Sequence, residues 1–233
     1  MLLKGRDSES EIGARNKFVR QLCQLNRAFA LAGPDGLIRV PSKRWKGREV
    51  TLLWSEQALA QHYASQCEQR PRIKQLCVAD VVQDVIPALD RFKRMVGLDW
   101  GFDPVECEIE PRDLSERLRV ESVNAFVGRV TRKGVIWILE GVDGPGLLLS
   151  GSNPDLQALP CWSDQEEAEK RIVGPFEELL ALAIPLHNFV GRTLPWLQEC
   201  HRLVAPEHFW GGGAIELDPE ELRFRLLPDL VTS

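Results

Sequence analysis

The stretch WSDQEEA, residues 162–168, repeats the phrase WSEQALA, residues 54–60, at a distance of 108 positions. Sliding the chain along itself by that distance aligns residues 16–118 with residues 124–226 without a gap, and 22 of the 103 aligned positions are identical. Unrelated sequences of average composition would share roughly six. Asn16, Phe18 and Val19 fall on Asn124, Phe126 and Val127, and Gly33, Asp35 and Gly36 fall on Gly141, Asp143 and Gly144. The register holds through Trp54/Trp162, Pro87/Pro195 and Glu108/Glu216 to Leu118/Leu226. A unit of about a hundred residues is a domain in its own right, longer than a solenoid repeat of roughly 20 to 50. The expected organisation is two similar tandem domains, residues 1–118 and 119–233, joined near residues 117–122 without a Gly/Ser/Pro-rich linker.

Each unit reads as α+β, a small antiparallel sheet packed with helices. Phe18, Val19, Leu22 and Leu25, and again Val123, Phe126, Val127 and Val130, recur at helical spacing. AFALAG and VIWILEG follow as dense apolar runs, each closing on a glycine-containing turn, which predicts a strand and a hairpin. In the repeated phrase, Ser163 followed by Glu166 has the spacing of a capping box, so Trp162 is expected to end a strand and Ser163 to cap a helix. Asp164, Glu166, Glu167 and Glu169 then fall in the first turns, where negative charge suits the helix dipole. Trp54 and Trp162 are the expected core anchors, and Pro87 and Pro195 are each expected to start or kink a helix. EPRDL and DPEEL announce the last helix of each unit, with Pro111 or Pro219 in its first turn.

VIWILEGVDG, LPCWSDQEEAE, IPLHNFVGRTLPWL and ELDPEEL, in that order, resemble the bacterial family catalogued as domain of unknown function 2750. The second unit resembles it along most of its length. The first departs from it, with Phe29 where the second has Trp137 and Cys77 where it has Pro185. The resemblance implies a fold and a bacterial origin, and brings no activity with it.

Motifs of catalysis are not spelled out. LLSGSNP, residues 148–154, lacks the order of a nucleophile elbow and reads as a loop. Gly211, Gly212 and Gly213 lack the strand and lysine of a phosphate loop and read as a turn. His62, His187, His201 and His208 are scattered without a carboxylate partner by spacing. Six cysteines include no CxxC pair and read as reduced thiols, and adjacent Cys200 and His201 diverge on a helix, so no metal site is expected. No cofactor is expected. The opening MLLKGRDSESEIG cannot serve as a signal-peptide apolar region, and no run reaches the eighteen or so apolar residues that a membrane span needs. The expected compartment is the cytoplasm, with no membrane partner.

Charge separates the two units. Residues 16–118 carry 16 basic and 14 acidic side chains, a net +2, and residues 119–233 carry 10 and 17, a net −7. An acidic unit steers basic partners and repels phosphates. KRWKGR, residues 43–48, could touch an anionic partner, but one tryptophan without further aromatic interleaving is a weak nucleic-acid signal, and none is expected as ligand. The expected function is a non-enzymatic, protein-binding one: an immunity protein that neutralises a cognate secreted toxin, basic and possibly a nuclease, of the kind delivered between neighbouring bacteria by type VI secretion. A regulatory or scaffold module of the secretion or stress machinery, or an enzyme with an unrecognised site, are the alternatives. The expected partner-binding residues are Glu140 and Asp143 on a turn with Asp164, Glu166, Glu167 and Glu169 at the helix start.

Overall fold

A computed structural model describes residues 9–68, 70–101, 107–151, 153–207 and 215–230. The chain divides into two compact units, Met1–Ser122 and Val123–Ser233. The first contains α1 (Glu9–Leu25), β1 (Ala28–Gly33), β2 (Gly36–Leu37), β3 (Arg39–Pro41), β4 (Glu49–Trp54), α2 (Gln57–Ser65), β5 (Arg72–Leu76), α3 (Val78–Asp80), α4 (Ile86–Arg91), β6 (Met95–Leu98) and β7 (Cys107–Ile109). Helix α5 (Pro111–Lys133) crosses the boundary. The second unit continues with β8 (Val135–Gly141), β9 (Gly144–Pro145), β10 (Leu148–Leu149), β11 (Gln157–Trp162), α6 (Gln165–Glu169), β12 (Leu180–Pro185), α7 (Leu186–Asn188), α8 (Leu194–Glu199), β13 (Leu203–Pro206) and α9 (Pro219–Leu230).

The final helix expected for the first unit and the opening helix expected for the second are therefore one helix. Nothing between Pro111 and Lys133 breaks the hydrogen-bond ladder, and Gly134, at φ 67°, ends it by donating its N–H to the Val130 carbonyl. At the equivalent place after α1, Asn26 adopts φ 48°. Asparagine is the residue next most tolerant of that region after glycine.

The two sheets share a plan. In the first, β5, β1, β4, β6 and β7 lie side by side; in the second, β12, β8, β11 and β13 do the same, and an isolated bridge between Val204 and Leu217 stands where β6 pairs β7 through Val96 and Ile109. Both are rich in antiparallel pairs, and each contains one parallel pair, β4 with β6 and β11 with β13. A parallel partner needs a crossover, and here the crossover runs through an edge strand and helices α3–α4 or α7–α8. Each crossover contains a π-helical turn, Val81–Val85 or Phe189–Thr193, immediately before the proline-bearing helix. Pro87 and Pro195 donate no backbone N–H and crowd the preceding turn. The wider turn relieves both, so the prolines set off a new helix after a bulge.

In the second unit the sheet is covered on both faces. Ile136, Ile138, Leu159 and Cys161 pack with Val123, Phe126 and Val130 of α5, with Leu194 and Leu197 of α8 and with Leu222 and Leu226 of α9. Leu139 and Trp162 face the other way, onto Ala168 of α6 and Phe176. In the first unit Trp54, fully buried, packs with Phe29, Leu52, Ala60, Met95 and Trp100. Both tryptophans are the anchors the repeat suggested. All six cysteines are free thiols, three of them buried. Among the described residues, no helix is long and apolar enough to cross a membrane.

Candidate functional site

The repeated serine does a different job from capping. Ser163 is not the cap of α6: Asp164 is, accepting from the Glu166 N–H at 3.1 Å, and in the first unit Glu56 takes that position without a side-chain bond. The serines instead close the sheet. Parallel pairing sets the C-terminal ends of β4 and β6 side by side, so the residue after each strand meets its neighbour. Ser55 donates its N–H and hydroxyl to the Asp99 carboxylate at 2.7 and 2.9 Å, and Ser163 donates the same groups to Glu207 at 3.1 and 2.5 Å. Asp99 and Glu207 occupy equivalent positions and both hold φ 51°. Burial pushes the Asp99 carboxyl above its ordinary range, opposed by the two Ser55 hydrogen bonds and the charge of Lys17. Glu207 also pairs with Arg129 at 3.1 Å.

A second pair of latches repeats in the same way. Glu108 accepts from the Ser42 hydroxyl at 2.5 Å and the Lys43 N–H at 2.8 Å; Glu216 accepts from Ser150 at 2.5 Å and the Gly151 N–H at 2.8 Å. LLSGSNP, expected to be a loop, begins instead with strand β10, Leu148–Leu149, and Ser150 at the end of that strand is tied down by a carboxylate. KRWKGR is likewise engaged: Arg44 pairs with Glu11 at 3.3 Å, and Arg44 and Arg48 lie over the Trp45 ring at 5.7 and 5.5 Å. Trp45 is half-buried against the first-unit core. A cleft of about 370 Å³ beside it is lined by Arg15, Arg44, Glu108, Arg112 and Asp113 among others. Arg112 is bound to Asp90, Asp113 lies 3.9 Å from Arg117, and Glu108 serves the latch.

The two units part at one surface. In the second, a groove of about 260 Å³ is lined by Ile138, Glu140, Pro145, Leu159, Ile184, Arg192, Thr193 and Trp196. Leu180 and Leu182 flank it on the same face, since they alternate with Ala181 and Ala183 and sit opposite Glu140 and Ile138. These two leucines are 74% and 42% exposed. At the equivalent positions the first unit has Ala30, Ala32, Asp84 and Ala88 for Ile138, Glu140, Arg192 and Trp196, and Arg72 and Lys74 for the two leucines. Among the described residues, neither Glu140 nor Arg192 makes an ion pair. Arg202 stacks on the Trp196 ring at 4.9 Å.

The family described as protein of unknown function DUF2750 matches residues 15–118 and again residues 123–226. The chain belongs to the DUF2750 family, twice over. No curated protein matches it. Two solved structures are similar at a TM-score of 0.25: Anabaena Tic22, titled as a protein-transport protein, at 9% identity over 82% of this chain and 91% of that one, and Tic22 from Plasmodium falciparum at 8% identity over 73% and 84%.

Within the second DUF2750 unit the six acidic residues singled out by sequence do not form one free patch. Asp164 is bound by Lys133 at 2.6 Å, and that hydrogen bond holds its carboxyl below the usual range. Lys170 bridges Glu166 and Glu167 at 3.0 and 2.8 Å, Arg171 lies 3.7 Å from Glu167, and Glu169 accepts from Gln165. Glu140 belongs to the groove and Asp143 to the exposed turn beyond it. Sequence reasoning missed Leu180, Leu182, Arg192 and Trp196; comparing the two DUF2750 copies for reversals, such as LALAIP against RIKQLC, was the signal that could have found them. Of the histidines, His62 contacts Gln66 at 2.8 Å and His187 and His201 are exposed, while His208 and the triple glycine lie outside the described residues. Among the described residues, no group of three or more His, Cys, Asp and Glu side chains could hold a metal ion.

Proposed function

We propose that this DUF2750 protein is a non-enzymatic, protein-binding protein: a cytoplasmic immunity protein of a bacterium, which neutralises a cognate secreted toxin by direct binding. The groove of the second unit carries the reading. At about 260 Å³ it falls below the roughly 300–1,000 Å³ of a small-molecule site and suits one or two side chains of a protein partner. Its apolar floor supplies contact area, and Glu140 and Arg192 supply two charges for register. Asp143 and the net charge of −7 over residues 119–233 favour a basic partner surface around it. A shared fold that keeps its internal latches while one copy opens an apolar groove is what a copy devoted to binding requires.

The test is bacterial survival when the product of the adjacent gene is expressed alone and together with this chain. Killing that co-expression reverses, with a complex on a sizing column that Glu140→Lys weakens, supports the proposal. A harmless neighbour and no complex overturn it in favour of a regulatory module.

A further inference from the structure

We propose that β12 is a self-pairing edge, through which two copies of the chain join in an antiparallel β12–β12 contact centred on Leu182. Among the described residues, β12 pairs on one side only, with β8, so its other side presents unpaired N–H and C=O groups. All six of its residues are apolar, and Leu180 and Leu182 are the exposed ones of greatest size. Edge strands are ordinarily protected by charge. The first unit follows that rule, with Arg72 and Lys74 on β5 at the positions of Leu180 and Leu182. In the second unit that protection is missing on an otherwise equivalent edge.

The flanks indicate which strand fits. Exposed Glu177 and Glu178 precede β12, and exposed His187 follows it. Antiparallel pairing about a two-fold axis sets the acidic entry of each strand beside the His187 end of the other, twice. With Leu182 opposite Leu182, Leu180 lies opposite Ile184 of the second copy. A two-fold axis perpendicular to the sheet keeps Leu180, Leu182 and Ile184 of both copies on one face. Pro185, which has no N–H to give, falls at the end of the ladder. This pairing uses the backbone edge of β12, which borders the groove, and the two are told apart because self-association is read on the chain alone, without a toxin.

Analytical ultracentrifugation of the full chain decides it. The wild type is expected at twice 26.4 kDa in the micromolar range. Leu182→Lys and Leu182→Glu are each expected to weaken association at least about tenfold, through like charges placed directly opposite. An equimolar mixture of the two is expected to recover the pair. A wild type that stays monomeric, a Leu182→Lys variant that associates as the wild type does, or folded variants whose mixture does not pair, each overturns the proposal. Lysine at this position is the residue the first unit already carries as Lys74. Should both variants nevertheless fail to fold, hydrogen exchange of the wild type answers the same question: protection of the amides of residues 180–184 rises with protein concentration if the edge self-pairs, and concentration-independent exchange overturns it.

Discussion

The Ser163 hydroxyl donates to the Glu207 carboxylate at 2.5 Å, and Ser55 makes the same bond to Asp99 at 2.9 Å, although the two carboxylates differ by a methylene. Each bond spans 44 positions of chain and ties the ends of a parallel strand pair. A hydrogen bond to a charged group is worth about 1.5–3 kcal/mol. Ser55→Ala and Ser163→Ala are both expected to destabilise by about that much in urea unfolding. Ser163→Ala is expected to cost more, because the Ser163 hydroxyl also accepts from the Arg129 Nε–H at 2.8 Å, whereas among the described residues the Ser55 hydroxyl bonds Asp99 alone.

Asp99 and Asp164 are expected to respond to acid with opposite signs. Burial raises the Asp99 pKa in the fold, so its contribution to stability is present below the unfolded value near 3.8 and is lost as pH rises through the folded value. The Lys133 hydrogen bond lowers the Asp164 pKa, so its contribution is present above that value and is lost as pH falls. In thermal melts from neutral pH downward, the Tm of Asp99→Asn relative to wild type should fall, and that of Asp164→Asn should rise. Parallel slopes would contradict the assignment.

Gly97 has no room for a methyl group. A Cβ there would lie 2.5 Å from Leu52 Cδ2 and 2.9 Å from Val50 Cγ1. The second unit carries Ala205 at the equivalent site, and there the counterpart of Val50 is Ala158. Gly97→Ala is expected to destabilise by about 1–3 kcal/mol through overpacking. Adding Val50→Ala should recover part of that loss, a non-additivity readable in a double-mutant cycle of chemical denaturation.

Arg192→Asp and Trp196→Ala place in the second unit the residues that the first already uses, Asp84 and Ala88. Both are expected to fold, Arg192→Asp with a melting curve close to wild type and Trp196→Ala with a lower midpoint, since Trp196 packs against the second-unit core. If the groove captures the toxin, each should weaken the complex by tenfold or more, about 1.4 kcal/mol, in calorimetric titration. Glu166→Lys, whose carboxylate is already met by Lys170, should change affinity far less.

The repeat made the architecture legible, because helical spacing, apolar runs and turn glycines report local structure. AFALAG and VIWILEG are β1 and β8 residue for residue. What the repeated phrase is for was not legible. Glu166 is three residues from Ser163 and looked like its partner, whereas the partner, Glu207, is brought there by a parallel strand pairing that no local pattern encodes. Asp99 and Glu207 are also not identical, so matching residues by identity passes over them. The groove was hidden for a related reason: LALAIP reads as core, and only its position at the end of the sheet leaves Leu180 and Leu182 uncovered.

Helix α5 runs unbroken from Pro111 to Lys133, with Leu114 and Leu118 buried on the first-unit side of residue 122 and Val123, Phe126 and Val130 on the other. The border visible when the repeats are aligned therefore falls inside a single rod of backbone. Any cut there takes a core-forming segment from one copy or leaves the other with a frayed end. The duplication cannot be undone by trimming, and a stand-alone copy has to be given helix residues that both copies now own.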